Sequence, residues 1–424
     1  MGIPMPSTAV TYRILVDLTP MLPGGANGGA KLFVLELLRQ LSRMAEQYEL
    51  ILLCRDVTYD ELASLERGNV RRVLIRNPAG VSKIKSAAMH LARSFSGIIP
   101  QKLGRGISRV GLKLIAALQR HSVKDAAHDL RGDLLYCPFT APYFHVDHIP
   151  TVCTVYDLQY KSHPEFFRPE EIAVRDSAFV DACSKATAIT TISEFSRQAI
   201  LDHGKVDPSR VHLIYLRLGQ RLFSAKPDGD DSLPRLLHVT PHRYLIYPAN
   251  FWPHKNHDRL LAAFASAIER RLIPPDIKLV CTGAPGARRD QIISVGSKLQ
   301  LSDRLVFPGY LSDEELATLM RYSLGLVFPS LYEGFGMPLI EAMAAGVPVA
   351  CSNRTSLPEI AGDAAILFDP EQTPEITDAI VRLCSVGDER ENLIEKGRGR
   401  AKYFGDPALM AQQYLDLFNS VIEK

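Results

Sequence analysis

The sequence predicts an α/β protein built of two doubly wound domains in tandem. The chain has 424 residues, too many for one ordinary core. Short β-branched and apolar runs alternate with amphipathic helical patterns along most of it, the pattern of parallel sheets covered on both faces. One polar, turn-rich stretch, Lys226 to Pro234 (KPDGDDSLP), divides the series and reads as a linker. The domains are accordingly set at 1–232 and 233–405, with a last helix over 406–424.

In order, the first strand is RILVDL (Arg13 to Leu18), followed by the loop PGGANGGA and the helical pattern KLFVLELLRQL. ELILLC, RRVLIR, DLLYC, TVCTVY, TAITTI and VHLIYL are the further strands of the first series. YLIYPAN (Tyr244 to Asn250) opens the second, which continues through IKLVCTG, RLVFPG, LGLVFPS, VPVACS and AAILFD. In two such domains the ligand site lies at the carboxyl ends of the strands, in the cleft between them.

Composition narrows the function. A net charge of +2 gives no global case for nucleic-acid binding. Seven scattered cysteines, without a C-x-x-C pair, suit a reducing cytoplasm rather than a disulfide framework. The first residues, MGIPMPSTAV, have neither the basic start nor the apolar run of a signal peptide, and no run of about eighteen apolar residues offers a membrane span. From 81 to 124 there are nine Lys or Arg and no Asp or Glu, interleaved with apolar residues. Two readings stay open for this insert: docking on anionic lipid, or a solvated basic face. The expected location is the cytoplasm, with peripheral contact at the inner face of the membrane if the first holds.

The densest motif is SLYEGFGMPLIEAMAAGVPVACS, from Ser330 to Ser352. Glu333 precedes Gly334-Phe335-Gly336, a loop where backbone can approach a ligand closely. Pro338 suits the first turn of a helix, and Gly346 its end. A helix start at the end of a buried strand is an anion site, with Glu333 just outside it and Glu341 about one turn inside. Carboxylates so placed can accept vicinal sugar hydroxyls; a helix start favoured by acidic residues is the plainer alternative.

Set in PSLYEGFGMPLIEAMAAGVPV, this spacing resembles the signature of the retaining GT-B glycosyltransferases of family 4, and SNRTSLPEIAGDAAILFDP, LVFPGYLSDEELATLMRYS and YLIYPANFWPHKNHDRLLAAF extend the resemblance over the second domain. The first domain matches more loosely, at the glycine loop, TVYDLQYKSHPEFF and TTISEFSRQAI. The resemblance implies two Rossmann-like domains facing across a cleft, the first for the acceptor and the second for a nucleotide sugar, with the last helix crossing back to the first. It implies that Glu333 holds the donor hexose, that Glu341 takes the ribose hydroxyls, and that amides of Phe335, Gly336 and Met337, beside Gly334, face sugar and diphosphate. Lys255 matches the lysine that meets the diphosphate, Gly28 and Gly29 the loop approaching diphosphate and acceptor, and Tyr310 falls in a matching stretch assigned to the nucleotide sugar.

Two positions depart from the family pattern. Asn250 stands where the family usually has an Arg of the phosphate clamp, leaving His242, Arg243 and His254 as local candidates for the charge. Tyr156 stands for the usual His while Asp157 remains, so Asp157 becomes the candidate that positions acceptor or transferred sugar, and Tyr156 could hydrogen-bond a sugar hydroxyl.

No metal is expected: Asp228-Gly229-Asp230 falls in the linker, and His254 and His257 lack convergent ligands. No cofactor beyond the nucleotide-sugar co-substrate is expected. The resemblance to bacterial mannosyltransferases of polysaccharide and O-antigen synthesis makes GDP-mannose the first donor, with UDP-glucose, a UDP-N-acetylhexosamine or a dTDP-deoxysugar as alternatives. The acceptor is a saccharide or a polyprenyl-linked saccharide. A nucleotide-sugar 2-epimerase and a silent carbohydrate- or membrane-binding protein are the rival readings.

Overall fold

A computed structural model describes residues 12–24, 27–44, 47–75, 130–218 and 232–423. The basic insert at 81–124 and Asp228-Gly229-Asp230 lie outside these.

The described residues are built around two all-parallel sheets. The first has the order β3-β2-β1-β4-β5-β6-β7, from β1 (Tyr12–Asp17), β2 (Tyr48–Cys54), β3 (Val70–Leu74), β4 (Leu134–Cys137), β5 (Thr151–Thr154), β6 (Ala188–Thr191) and β7 (Val211–Leu213). The second runs β10-β9-β8-β11-β12-β13, from β8 (Tyr244–Pro248), β9 (Lys278–Thr282), β10 (Leu305–Val306), β11 (Gly325–Phe328), β12 (Val349–Ser352) and β13 (Ala365–Phe368). Central strands are apolar without alternation because helices cover both faces; Tyr244, Leu245, Ile246 and Tyr247 of β8 are all fully buried.

In each sheet the strand order reverses once, between β1 and β4 and between β8 and β11. Helices on either side of such a point diverge and leave a crevice at the carboxyl ends. The glycine loop follows β1, the Lys255 segment follows β8, and the Glu333 loop follows β11.

The residues read as linker are partly helical, since Ser232–Leu236 forms a short helix that takes in Ser232 to Pro234. The last helix, Pro407–Ile422, packs on the first sheet's side. Asp406 caps it, accepting the amides of Ala408 and Leu409 at 3.0 and 3.1 Å. Its buried face carries Tyr414, whose hydroxyl donates to Thr190 Oγ1 at 3.1 Å, and Phe418, against the Tyr136 ring at 5.4 Å. The Tyr48 hydroxyl donates to Asn419. Among the described residues no helix is long and apolar enough to cross a membrane.

Candidate active site

The helix expected after Glu333 spans Met337–Ala344. Gly336 precedes it at φ +102°, a conformation that favours glycine, and a Cβ there would strike Leu357 at 2.5 Å. Ser356, fully buried, donates its hydroxyl to the carbonyls of Glu333 at 3.0 Å and Phe335 at 3.2 Å. The Glu333 amide donates to Thr355 Oγ1 at 3.1 Å. Both ends of the loop are thereby fixed from the segment after β12.

Lys255 is held from beneath. The buried Tyr247 hydroxyl donates to its carbonyl at 2.7 Å and lies 3.2 Å from Ser330 Oγ. Asn256, left-handed at φ +60°, donates to the carbonyls of Pro329 at 3.1 Å and Pro370 at 2.8 Å. The Leu331 amide donates to the His254 carbonyl at 2.8 Å, joining the loops after β8 and β11. Between these anchors the Lys255 ammonium donates to Glu333 Oε1 at 2.5 Å, both side chains nearly enclosed at 11% and 13% exposed. Two residues 78 positions apart thus meet at the strand-order reversal.

The first domain approaches this pair through Asp157. A Cβ on Gly334 would lie 2.8 Å from the Tyr156 carbonyl oxygen and 3.4 Å from Asp157 Oδ2, so only glycine lets the two loops pass this closely. Burial raises the Asp157 carboxyl above its ordinary value; the Gln159 amide, donating at 3.0 Å, and Arg175 oppose this, Glu333 adds to it and Lys255 opposes it. The Tyr332 hydroxyl, next to Glu333 in the chain, accepts the Leu158 amide at 3.4 Å.

Glu341 is buried on the helix, bordering a narrow crevice with Leu216, Leu218, Phe335, Met337, Ile340 and Phe404. The Phe335 ring packs on Phe404, centroids 5.5 Å apart, so only its backbone could face a ligand. Gly28, at φ +53°, starts the Gly28–Met44 helix, and a Cβ on Gly29 would stand 2.7 Å from Met337 Cε, so the glycine loop meets the Met337 end of the helix across the cleft. Lys31 closes that loop, donating to the carbonyls of Leu22 and Gly24 at 2.9 Å each.

Asn250 Oδ1 accepts the Ala284 amide at 2.9 Å, and the Gly283 amide donates to the Gly309 carbonyl at 2.9 Å. The loops after β8, β9 and β10 are thus stitched side by side, with Tyr310 exposed (67%) at their margin. Among the described residues no hydrogen bond or ring contact links Tyr310 to Lys255 or Glu333.

Three sequence readings need correction. His242 and Arg243 precede β8 and so stand at the opposite end of that five-residue strand from the cleft, where Arg243 pairs with Asp276 at 3.4 Å. His254 is near the pair, but burial first, and the Lys255 charge second, lower its pKa to about 4, so it is neutral at pH 7 and supplies no charge. The Tyr156 hydroxyl is enclosed with no hydrogen-bond partner among the described residues, its ring packed edge-on against Phe33, so it does not present itself to a sugar.

The sequence reading missed Glu359, in SLPEIAG. Its carboxylate accepts the amides of Glu194 at 2.7 Å and Phe195 at 3.1 Å and the Tyr215 hydroxyl at 2.8 Å. A second-domain carboxylate therefore sits on the first turn of the Glu194–Gly204 helix, where its charge meets the positive end of the dipole. Glu at the start of its own short helix gives no sign in sequence of a partner 164 residues away.

The family model described as glycosyl transferases group 1 matches residues 230–400. O-antigen chain mannosyltransferase B of Escherichia coli is 28% identical over 345 residues, covering 78% of this chain and 90% of that protein. MMP alpha-(1→4)-mannosyltransferase of Mycolicibacterium hassiacum is 32% identical over 216 residues, about half of each chain. Among solved structures, sucrose-phosphate synthase from Thermosynechococcus elongatus superposes with a TM-score of 0.73 at 18% identity, covering 97% of this chain and 99% of that one. Anabaena HepE in complex with UDP and glucose gives 0.69 at 18% identity, covering 96% and 100%. The chain is a glycosyltransferase of the GT-B fold, and its residues 230–400 match the model of the group 1 glycosyl transferases.

Proposed function

We propose that this glycosyltransferase moves a hexose, mannose from GDP-mannose in the first instance, to a hydroxyl of a saccharide or lipid-linked saccharide, with retention of anomeric configuration. The observation that carries the reading is the enclosed Lys255–Glu333 pair, set at the strand-order reversal of the second sheet with Asp157 facing it. The mannosyltransferase named above, matched over most of both chains, supports mannose as the sugar.

In the reaction the bond from the anomeric carbon to the diphosphate oxygen breaks, and a bond from that carbon to the acceptor oxygen forms. The acceptor proton passes to a departing phosphate oxygen. Lys255 neutralises the charge that grows on the diphosphate, in a site dry enough for that charge to matter. Glu333 shares the ammonium until the diphosphate competes for it, and thereafter accepts hydroxyls of the hexose. Asp157 orients acceptor or sugar, Glu341 takes the ribose hydroxyls, and the helix start at Phe335, Gly336 and Met337 offers amides to phosphate. Gly28 and Gly29 bring the first domain's backbone against the same end.

A panel of GDP-, UDP- and dTDP-sugars, with and without saccharide acceptors, tests the reading, with the product anomer read by NMR. Mannosyl transfer from GDP-mannose with retained configuration is expected. Isomerised donor without acceptor would instead indicate an epimerase, and no turnover of any donor a silent protein.

A further inference from the structure

Six aromatic rings form a continuous row across the cleft. Trp252 lies 5.6 Å from His254, and His254 lies 6.2 Å from Phe166 of the first domain. Phe166 stacks on His163 at 5.3 Å and 20° between planes, His163 meets Tyr332 edge-on at 5.8 Å, and Tyr332 meets Phe195 at 5.6 Å. The row alternates between domains, so it is whole only when the cleft has its present width. His254 immediately precedes Lys255, and Tyr332 immediately precedes Glu333, so the row runs along the catalytic pair at a distance of one residue.

Its outer end is open. Trp252 is 50% exposed, Phe166 and His163 are partly so, and Trp252 follows Phe251 on a rigid segment whose His254 and Lys255 are buried. The half-exposed Trp252 and the partly exposed Phe166 and His163, joined through the buried His254 ring at tilts of 32° and 45°, make an apolar ledge, with the Glu165 carboxylate 3.0 Å from His163 Nδ1 at its rim. A pyranose matches it, with one face of C–H bonds to pack on rings and hydroxyls around the rim to reach water or polar groups.

We propose that Trp252, Phe166 and His163 form the acceptor subsite, a ledge on which a pyranose ring of the saccharide acceptor stacks. This rests on the transferase reading above and adds where the acceptor lies. The ring it holds is next to the one that receives the hexose, because the ledge adjoins Lys255 and Glu333 and does not include them.

Trp252 is the sole tryptophan of the chain, so its fluorescence reports on the ledge without labelling. The full chain, with GDP present, is titrated with methyl α-mannoside and with α-linked mannotriose. A saturable change in emission is expected, tighter for the trisaccharide. Phe166→Ala and His163→Ala keep the reporter, and each moves the midpoint about tenfold weaker, the scale of losing one stacking face. In turnover, Trp252→Ala raises the acceptor KM about tenfold and Trp252→Phe restores most of it. A response to GDP with none to saccharide would assign the ledge to the nucleobase and overturn the proposal. So would transfer by the unmodified chain with a silent tryptophan and an unchanged acceptor KM in Trp252→Ala. If the unmodified chain transfers no sugar at all, the transferase reading fails first and the ledge with it.

Discussion

Replacing Gly334 by alanine adds one methyl group at a close crossing of backbone between the two domains. The new Cβ would stand 2.8 Å from the Tyr156 carbonyl oxygen and 3.2 Å from Asp157 Cβ. An ordinary carbon–oxygen contact is longer by roughly half an ångström, and because the opposing atoms include backbone, no side-chain rotation relieves the clash. Overpacking of this kind costs about 1–3 kcal/mol. If the strain is relieved by opening the cleft, the closed arrangement loses that much stability, and turnover falls between about fivefold and about 150-fold. The assay is kcat and kcat/KM with the best donor of the panel, beside a denaturation midpoint. Gly399→Ala is the control: it sits in the Asp388–Tyr403 helix with nothing within 4 Å of an added Cβ, and alanine there gains about 0.5–1 kcal/mol of helix propensity. Full turnover with an unchanged midpoint in Gly334→Ala would refute the close passage.

Glu359→Ala removes the carboxylate from the first turn of the Glu194–Gly204 helix and should cost about 1–3 kcal/mol, with faster hydrogen exchange at the Glu194 and Phe195 amides; unchanged exchange there would deny the latch. Asp17 is 1% exposed, and burial raises its carboxyl from 3.8 to about 7 despite the Thr19 bonds. Because the folded state then holds the proton more tightly than the unfolded one, this group's contribution to stability falls as pH rises from about 4 to 7, by on the order of 4 kcal/mol at most. Asp17→Asn should therefore gain stability on the unmodified protein across that window and hold the gain above pH 7, measured by denaturant midpoints; parallel curves would contradict the assignment.

The fold class was open in the sequence because both sheets are parallel and buried on two faces, so each strand appears as an uninterrupted apolar run bounded by polar turns. VPVACS and LGLVFPS each contain the strand they suggest, β12 and β11. Spacing also placed Glu333 before a helix and Glu341 within it, because Gly336, Pro338 and Gly346 are local signals of a helix start and end. Partnerships across the chain were closed to that kind of reading. Nothing near Lys255 announces that Tyr247 and Asn256 fix its backbone, or that its ammonium lies on Glu333. The apparent candidates His242 and Arg243 were neighbours of the site in sequence only, since one strand separates the two ends of the sheet. Tyr156 shows the same limit at one residue: its place at the end of the TVCTVY run was legible, whereas the enclosure of its hydroxyl depended on Phe33, from another helix.

On the proposed mechanism, the Lys255–Glu333 pair stabilises the departing diphosphate and holds the hexose. Single-turnover rates of sugar transfer for Lys255→Ala, Glu333→Gln and the double variant Lys255→Met with Glu333→Gln test it most directly. Each single change leaves a nearly enclosed group without its partner, so folding is checked by melting; the double change leaves no charge unpaired and separates lost stability from lost chemistry. All three are expected to fold, and each to slow transfer by at least about a hundredfold, the scale of removing one charge-stabilising donor. A folded Lys255→Ala and Glu333→Gln that transfer sugar at the unmodified rate would contradict it.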